Sequence, residues 1–388
     1  MTWEIDPRHR DTGLPLEGVR VLDFSRVLAG PLAAMVLGDL GADVIKIESP
    51  AGDPVRFLAP PRFGEDATYY LAVNRHRRNV VADLRDPLDY AAVARLLERA
   101  DVVIENYLPS QRAALGIDQL RERAPGVVWV SVTPSAPGTD LEDRPAFDLL
   151  AQARGGLMDV TGEREATKVG APLSDVVTGL YAAIAALAGL VGRSDPGPHF
   201  QVPLLDATLA SLINQAQGYL ATGLEPRRLG NDHPSIAPYG PVHCADGVLL
   251  LAVGTDAQFA RLVEVLGEPS LGRDDWRTNA GRVEDRDDLR ARLNEVMGHA
   301  SREEWGSRLD VADIPYAPVL SVAEALDQPA VSSSGLVVET DSPAGVLRTV
   351  SSPLFLNGER LRVRSGPRRL GEDSALLERG LGDDVEGS

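Results

Sequence analysis

Residues 18–48 read GVRVLDFSRVLAGPLAAMVLGDLGADVIKIE, and the order of apolar runs within them decides the fold class. Gly18–Phe24 is a short, β-branched apolar run; Pro31–Leu40 is rich in small and apolar residues; Asp43–Glu48 is a second apolar run. Strand, helix and strand in so short a stretch make a βαβ unit, in which the helix carries the chain back so that the two strands lie parallel. The alternation continues outward, with strands expected at Asn79–Leu84, Asp101–Tyr107 and Val127–Val132 and a helix over Pro87–Arg99. The expectation is an α/β fold with a mostly parallel sheet covered on both faces. Ligands of such sheets sit beyond the carboxyl ends of the strands. That rule singles out Ser25–Gly30, Ser49–Asp53, Arg85, Asn106–Pro109 and Thr133–Gly138.

Further along, Phe147–Leu157, Leu173–Val191 and Pro203–Ala221 read as helices. Residues 223–243 turn to Pro, Gly, Asn and Asp and read as a linker. A strand at Val248–Val253, helices at Ala257–Leu266, Asp287–Met297 and Arg302–Val311, and Tyr316–Leu320 make a second, smaller α+β unit. Short strands follow Pro329, and the acidic end GEDSALLERGLGDDVEGS is expected to fray. A length of 388 residues suits two domains.

With 57 acidic and 39 basic residues the net charge is −18, a field that argues against nucleic acid and anionic membrane as partners. A single cysteine, Cys244, excludes an internal disulfide or a Cys-rich zinc site. The start MTWEIDPRHR lacks the apolar core of a signal peptide. Val176–Gly192 is uncharged but falls short of the ~20 residues of a spanning helix. A buried helix and a cytoplasmic protein are therefore expected.

The turn after the first strand, Val27-Leu28-Ala29-Gly30-Pro31, lacks the glycine fingerprint of a dinucleotide site. There is no P-loop and no Gly-x-Ser-x-Gly elbow, and the six histidines lack ligand spacing. The run Asn74-Arg75-His76-Arg77-Arg78-Asn79 stands out against the acidic background; it needs internal carboxylates or a bound phosphate as counter-charge. Asp148 and Asp175 each open a helix, where capping is the plain role, and Glu165 sits in a Gly-containing loop exposed to solvent.

Several blocks follow one another in order: the stretch from Leu16 to Arg56, NRHRRNVVADLRDP, DVVIENYLPS, RPAFDLLAQARGGLM, APLSDVVTGLYAAIAAL, GNDHPSIAPYGPV and IPYAPVLSVAEAL. Together they resemble the class III CoA-transferase family, the group of formyl-CoA transferase, carnitine CoA-transferase and α-methylacyl-CoA racemase. The resemblance implies a Rossmann-like large domain (residues 1–222 and 330–388), a small α+β domain (223–329), and two subunits interlocked like chain links. A homodimer is implied first, with a heterodimer with a paralogue as the alternative.

The resemblance also implies that no cofactor is permanently bound. Acyl-CoA and a small carboxylic acid are the substrates, and a carboxylate attacks the thioester to form a covalent intermediate. The Gly-x-x-Asp loop usual in the family is matched by Gly162-Glu163-Arg164-Glu165, which makes Glu165 the expected nucleophile. The racemase branch instead uses an Asp matching Asp175 and a His immediately before the position of Asp148, where this chain has Phe147. A silent CoA-binding subunit is a third reading. Implied CoA contacts are Val27, Leu28 and Ala29, then Asp83, Leu84 and Arg85, then Asn106 and Tyr107. Basic positions usual in the family hold Ser49, Ala114 and Thr133 here, which leaves Arg75, Arg78 and Arg112 as the cations expected to compensate.

Overall fold

The computed structural model describes residues 4, 6–10, 12–192 and 194–378; the acidic end from Arg379 onward lies outside the described residues. The chain forms two compact units. The first comprises Met1–Leu157, Val169–Ala216 and Pro329–Ser388, and the second Met158–Lys168 and Gln217–Gln328. Compared with the boundaries read from sequence, the segment Met158–Lys168 joins the second unit and the crossing falls at 216/217 instead of 222/223.

The first unit is built on a six-stranded sheet: β1 (Arg20–Asp23), β2 (Asp43–Glu48), β3 (Arg77–Val81), β4 (Val102–Glu105), β5 (Val128–Thr133) and β6 (His199–Pro203). Its order is β3-β2-β1-β4-β5-β6 and every neighbouring pair is parallel. Successive side chains on a strand face opposite ways. Val21 and Val44 therefore join one apolar layer with α1 (Ala29–Asp39), while Leu22 and Ile45 join the other with α3 (Pro87–Leu97). A short helix α2 (Thr68–Val73) precedes β3, and α4 (Pro109–Leu115) follows β4.

Two departures from the sequence reading concern strands. The third strand runs Arg77–Val81, two residues before its predicted start, because the arginines there are neutralised inside the fold. The sixth strand, HFQVP, was not predicted; the expected helix Pro203–Ala221 is instead broken at Ile213, whose φ is +41°.

Two helices bring carboxylates toward the sheet: α5 (Asp148–Arg154) and α6 (Leu173–Val191). By length and composition α6 could cross a membrane, but one side of it packs on α1 and β5. Glycine makes that approach possible, since a Cβ at Gly179 would lie 2.6 Å from the carbonyl oxygen of Ala29. The opposite side of α6 is left bare, with Leu180, Tyr181, Ile184 and Val191 exposed at helical spacing. Helix α7 (Leu204–Ser211) follows β6.

The free edge of β3 is closed by the end of the chain. Asp373 exchanges hydrogen bonds with the Asn79 backbone, the Gly371 N–H donates to the Asn79 side chain, and the Val81 N–H donates to Ser374. An unpaired edge strand is thereby covered by loop and side chain.

The second unit holds an antiparallel sheet of β7 (Tyr239–Cys244), β8 (Gly247–Ala252) and β9 (Tyr316–Pro318), in the order β9-β8-β7. Helices α8 (Asp256–Leu266), α9 (Arg286–Met297) and α10 (Arg302–Val311) enclose a core around Trp276, Leu262, Leu293 and Trp305. Strand β7 begins inside the stretch read as linker.

Candidate active site

A cavity of about 300 Å³ opens at the carboxyl ends of the parallel strands, where the topology places ligands. Its wall comes from the turn after β1 (Arg26, Val27, Leu28, Ala29), the loop after β4 (Asn106, Leu108), the end of β5, Phe147 before α5, and Asp175 in the first turn of α6. All of these residues belong to the first unit.

The β1 turn is held by buried charge. Val27 has φ +68°, a left-handed conformation that a β-branched residue adopts only under constraint. Its N–H donates to the Asp53 carboxylate at 3.1 Å. Asp53 in turn faces Lys46 at 3.0 Å, and the ammonium also donates to the Ser25 carbonyl at 2.6 Å and lies 3.9 Å from Asp23. Lys46 and both aspartates have no solvent-exposed side-chain surface. On the other side, Asn106 accepts from the Arg26 N–H at 2.9 Å and donates to the Arg26 carbonyl at 2.8 Å. The turn that sequence singled out is thus fixed over its first three residues, Ser25 to Val27.

Asp148 and Asp175 are neighbouring carboxylates at the start of α6. Asp148 does not cap its own helix. One of its oxygens accepts from the Ser174 N–H at 2.9 Å, capping α6, and the other accepts from the buried Gln152 at 2.7 Å. Gln152 is itself fixed by accepting from the Val169 N–H at 2.8 Å. Asp175 sits beside this tethered carboxylate. Burial, with the neighbouring Asp148 charge adding to it, pushes its carboxyl up to about 7. Both carboxylates face Tyr69 of α2, whose phenol is pushed up to about 12, first by burial and then by Asp175 and Asp148. Tyr69 was not singled out by sequence; the aromatic pair Tyr69-Tyr70, three residues before the basic run, was the available signal.

The other predicted site residues are placed differently. Glu165 is exposed on a loop of the second unit, where its carbonyl accepts from the Thr167 hydroxyl, whereas the cavity wall is built from the first unit. A solvated carboxylate there lacks the desolvation that sets Asp175 apart. Arg75 and Arg78 are buried and engaged internally, Arg75 by both oxygens of Asp39 at 2.6–2.7 Å and Arg78 by Asp43 at 2.6 Å. Arg77 is held by Asn74, the Pro31 carbonyl and, at 3.5 Å, Asp23. The counter-charge for the basic run is therefore carboxylate from α1 and from β1 and β2, so Arg75 and Arg78 are structural cations. Arg112 is likewise engaged, by Glu105 at 3.6 Å and Asp118 at 3.8 Å. Asp83 accepts from the Arg85 N–H, Leu84 is in the core and Arg85 is exposed; none of the three lines the cavity. Tyr107 lies beneath the Arg26 guanidinium, 4.7 Å from ring centroid to Cζ.

Comparison with known proteins places this geometry in context. The model of CoA-transferase family III matches residues 16–374. A succinate–glutarate CoA-transferase of Agrobacterium fabrum is 38% identical over 378 residues, covering 94% of each chain. An acetyl-CoA:oxalate CoA-transferase of Acetobacter aceti is 31% identical over 375 residues, covering 94% of this chain and 95% of its own. The crystal structure of a CAIB/BAIF family protein from Brucella suis superposes with a TM-score of 0.83 at 34% identity, over 95% of this chain and 99% of that one.

Proposed function

The chain belongs to CoA-transferase family III, and on that premise we propose that it moves coenzyme A from an acyl-CoA to a small carboxylic acid through covalent intermediates on Asp175. The observation that carries the assignment is a desolvated carboxylate in the wall of the strand-end cavity, held beside a second carboxylate that is fully hydrogen-bonded. The names of the relatives support a small dicarboxylic acid such as succinate, glutarate or oxalate as acceptor or released product.

In the proposed sequence the Asp175 carboxylate attacks the thioester carbonyl, expelling CoA thiolate and leaving a mixed anhydride. The thiolate then attacks the aspartyl carbonyl, releasing the first acid and forming an aspartyl thioester. The incoming carboxylate attacks that carbonyl and expels thiolate again, and the thiolate returns to the acyl carbon of the new anhydride. Acyl-CoA leaves and Asp175 is restored. Each difficult exchange is divided into steps with a good leaving group. Desolvation suits Asp175 to this role because the anion is held without a full shell of water. The racemase reading needs an imidazole before Asp148, and Phe147 occupies that part of the cavity wall. Incubation with succinyl-CoA followed by hydroxylamine tests the assignment. A hydroxamate on the peptide carrying Asp175 is expected, whereas modification at Glu165 would overturn it.

The nucleophile must be ionised, so kcat/KM is expected to be flat above about pH 7 and to fall with one proton below it. The Asp148 charge raises the Asp175 carboxyl, so Asp148→Asn is expected to move this acid limb to lower pH even if the maximum rate drops. A pH–rate profile checks both the position and the direction.

We also propose that a second copy of the chain covers the bare side of α6, in the interlocked homodimer that the sequence resemblance implies. An apolar stripe in which Ile184 is 58% and Val191 90% exposed supports a protein partner at that face. Light scattering is expected to give the mass of a dimer, and Ile184→Asp to yield monomer or aggregate.

A further inference from the structure

We infer that Arg26 is the residue that binds a phosphate group of coenzyme A, standing in for the cations this chain lacks at Ser49, Ala114 and Thr133. The inference rests on the CoA-transferase reading and goes beyond it in assigning the anion contact to one side chain. Arg26 is the cation among the residues lining the cavity. Arg75, Arg78, Arg112 and Lys46 are all committed to carboxylates. Arg26 makes no ion pair among the described residues; its guanidinium donates to the Gln111 side chain at 3.1 Å and lies over the Tyr107 ring. An arginine stacked on an aromatic ring keeps its N–H edge directed outward, which is the geometry for a bidentate phosphate contact.

Position along the turn separates this site from the chemistry. The β1 turn runs from Arg26, latched to Asn106 after β4, to Ala29, against which Gly179 of α6 packs one turn beyond Asp175. Three residues of chain span up to about 10 Å. With the thioester at Asp175, the turn offers the phosphate-bearing end of CoA a cation farther along the same cavity wall. The turn is rigid, since Lys46 and Asp53 hold Val27 and Asn106 holds Arg26, so little ordering is lost on binding. In a chain of net charge −18, a lone cation on such a frame is a selective anion contact.

The test measures binding of CoA, dephospho-CoA and pantetheine to the full-length protein and to Arg26→Ala and Arg26→Lys by calorimetry. Arg26→Ala is expected to weaken CoA about 10- to 100-fold, the range for a charged hydrogen-bonded contact. Pantetheine affinity is expected to stay unchanged, and Arg26→Lys to recover part of the loss. If dephospho-CoA weakens as CoA does, the contact is the diphosphate; if it is insensitive, the contact is the 3′-phosphate. Equal weakening of pantetheine and CoA would mean a purely structural role and would overturn the inference. So would unchanged CoA affinity, or an effect confined to the KM of the acid substrate. Failure of the unaltered protein to bind CoA at all would instead overturn the CoA-transferase reading.

Discussion

Asp175→Asn is expected to lower kcat by about 10⁴- to 10⁶-fold, the scale on which loss of a covalent nucleophile acts. Glu165→Gln is expected to retain activity, because Glu165 is a solvated side chain of the second unit and the proposed nucleophile belongs to the first. Steady-state transfer between succinyl-CoA and glutarate reads both. The reverse outcome, a dead Glu165→Gln and an active Asp175→Asn, would return the nucleophile to the loop. Stability gives an independent check. The folded carboxyl of Asp175 titrates near 7, above the ~3.9 of an unfolded chain, so the native state binds the extra proton between those values. Its contribution is therefore most favourable below pH 4 and is lost as pH rises to 7, a change of about 3 to 4 kcal/mol at most. Asp175→Asn removes the ionisation, so it is expected to raise the urea midpoint at pH 8, with the gain shrinking toward pH 4. An inactive variant that is more resistant to urea distinguishes loss of chemistry from loss of fold.

The second large effect is expected at Lys46. Its ammonium neutralises Asp53 and lies near Asp23, all three side chains being fully buried, so Lys46→Met leaves buried carboxylate charge uncompensated. Such breakage costs about 3–5 kcal/mol. Urea unfolding followed by circular dichroism should show that loss. The double variant Lys46→Met, Asp53→Asn should be less destabilised than Lys46→Met alone, because the orphaned charge goes with its partner. A cost below about 1 kcal/mol, the scale of an exposed pair, would refute the buried-network account. Asp53 also accepts from Val27, so Lys46→Met is further expected to loosen the β1 turn and weaken CoA binding.

The sheet was legible because its strands are apolar runs separated by helices, and residues 18–48 carried that pattern without ambiguity. The places it missed are those where polarity and burial part company. Strand β3 begins on arginines, and HFQVP of β6 is short, carries only two apolar side chains before its closing proline, and keeps one of them only partly buried. The turn after β1 was singled out because strand ends follow from topology, and it lines the cavity. The partners of the basic run were not legible: Asp39 and Asp43 lie 36 and 35 residues from the arginines they hold. For the nucleophile, the family's Gly-x-x-Asp loop implied Glu165, whereas what sets the proposed Asp175 apart is loss of water beside Asp148. Sequence spacing carries no record of that environment.

The closure of β3 by residues 371–374 also has a bearing on biosynthesis. The strand leaves the ribosome early, yet the backbone groups along its open side meet their partners only after nearly three hundred further residues have been made. At 5–20 residues per second that interval is about 15 to 60 s. For that time the nascent first unit presents an incomplete sheet margin, and β3 is a natural place for a chaperone to act. A ribosome stalled after Gln328 would hold a chain whose second unit is complete in sequence while its first unit still waits for its last piece.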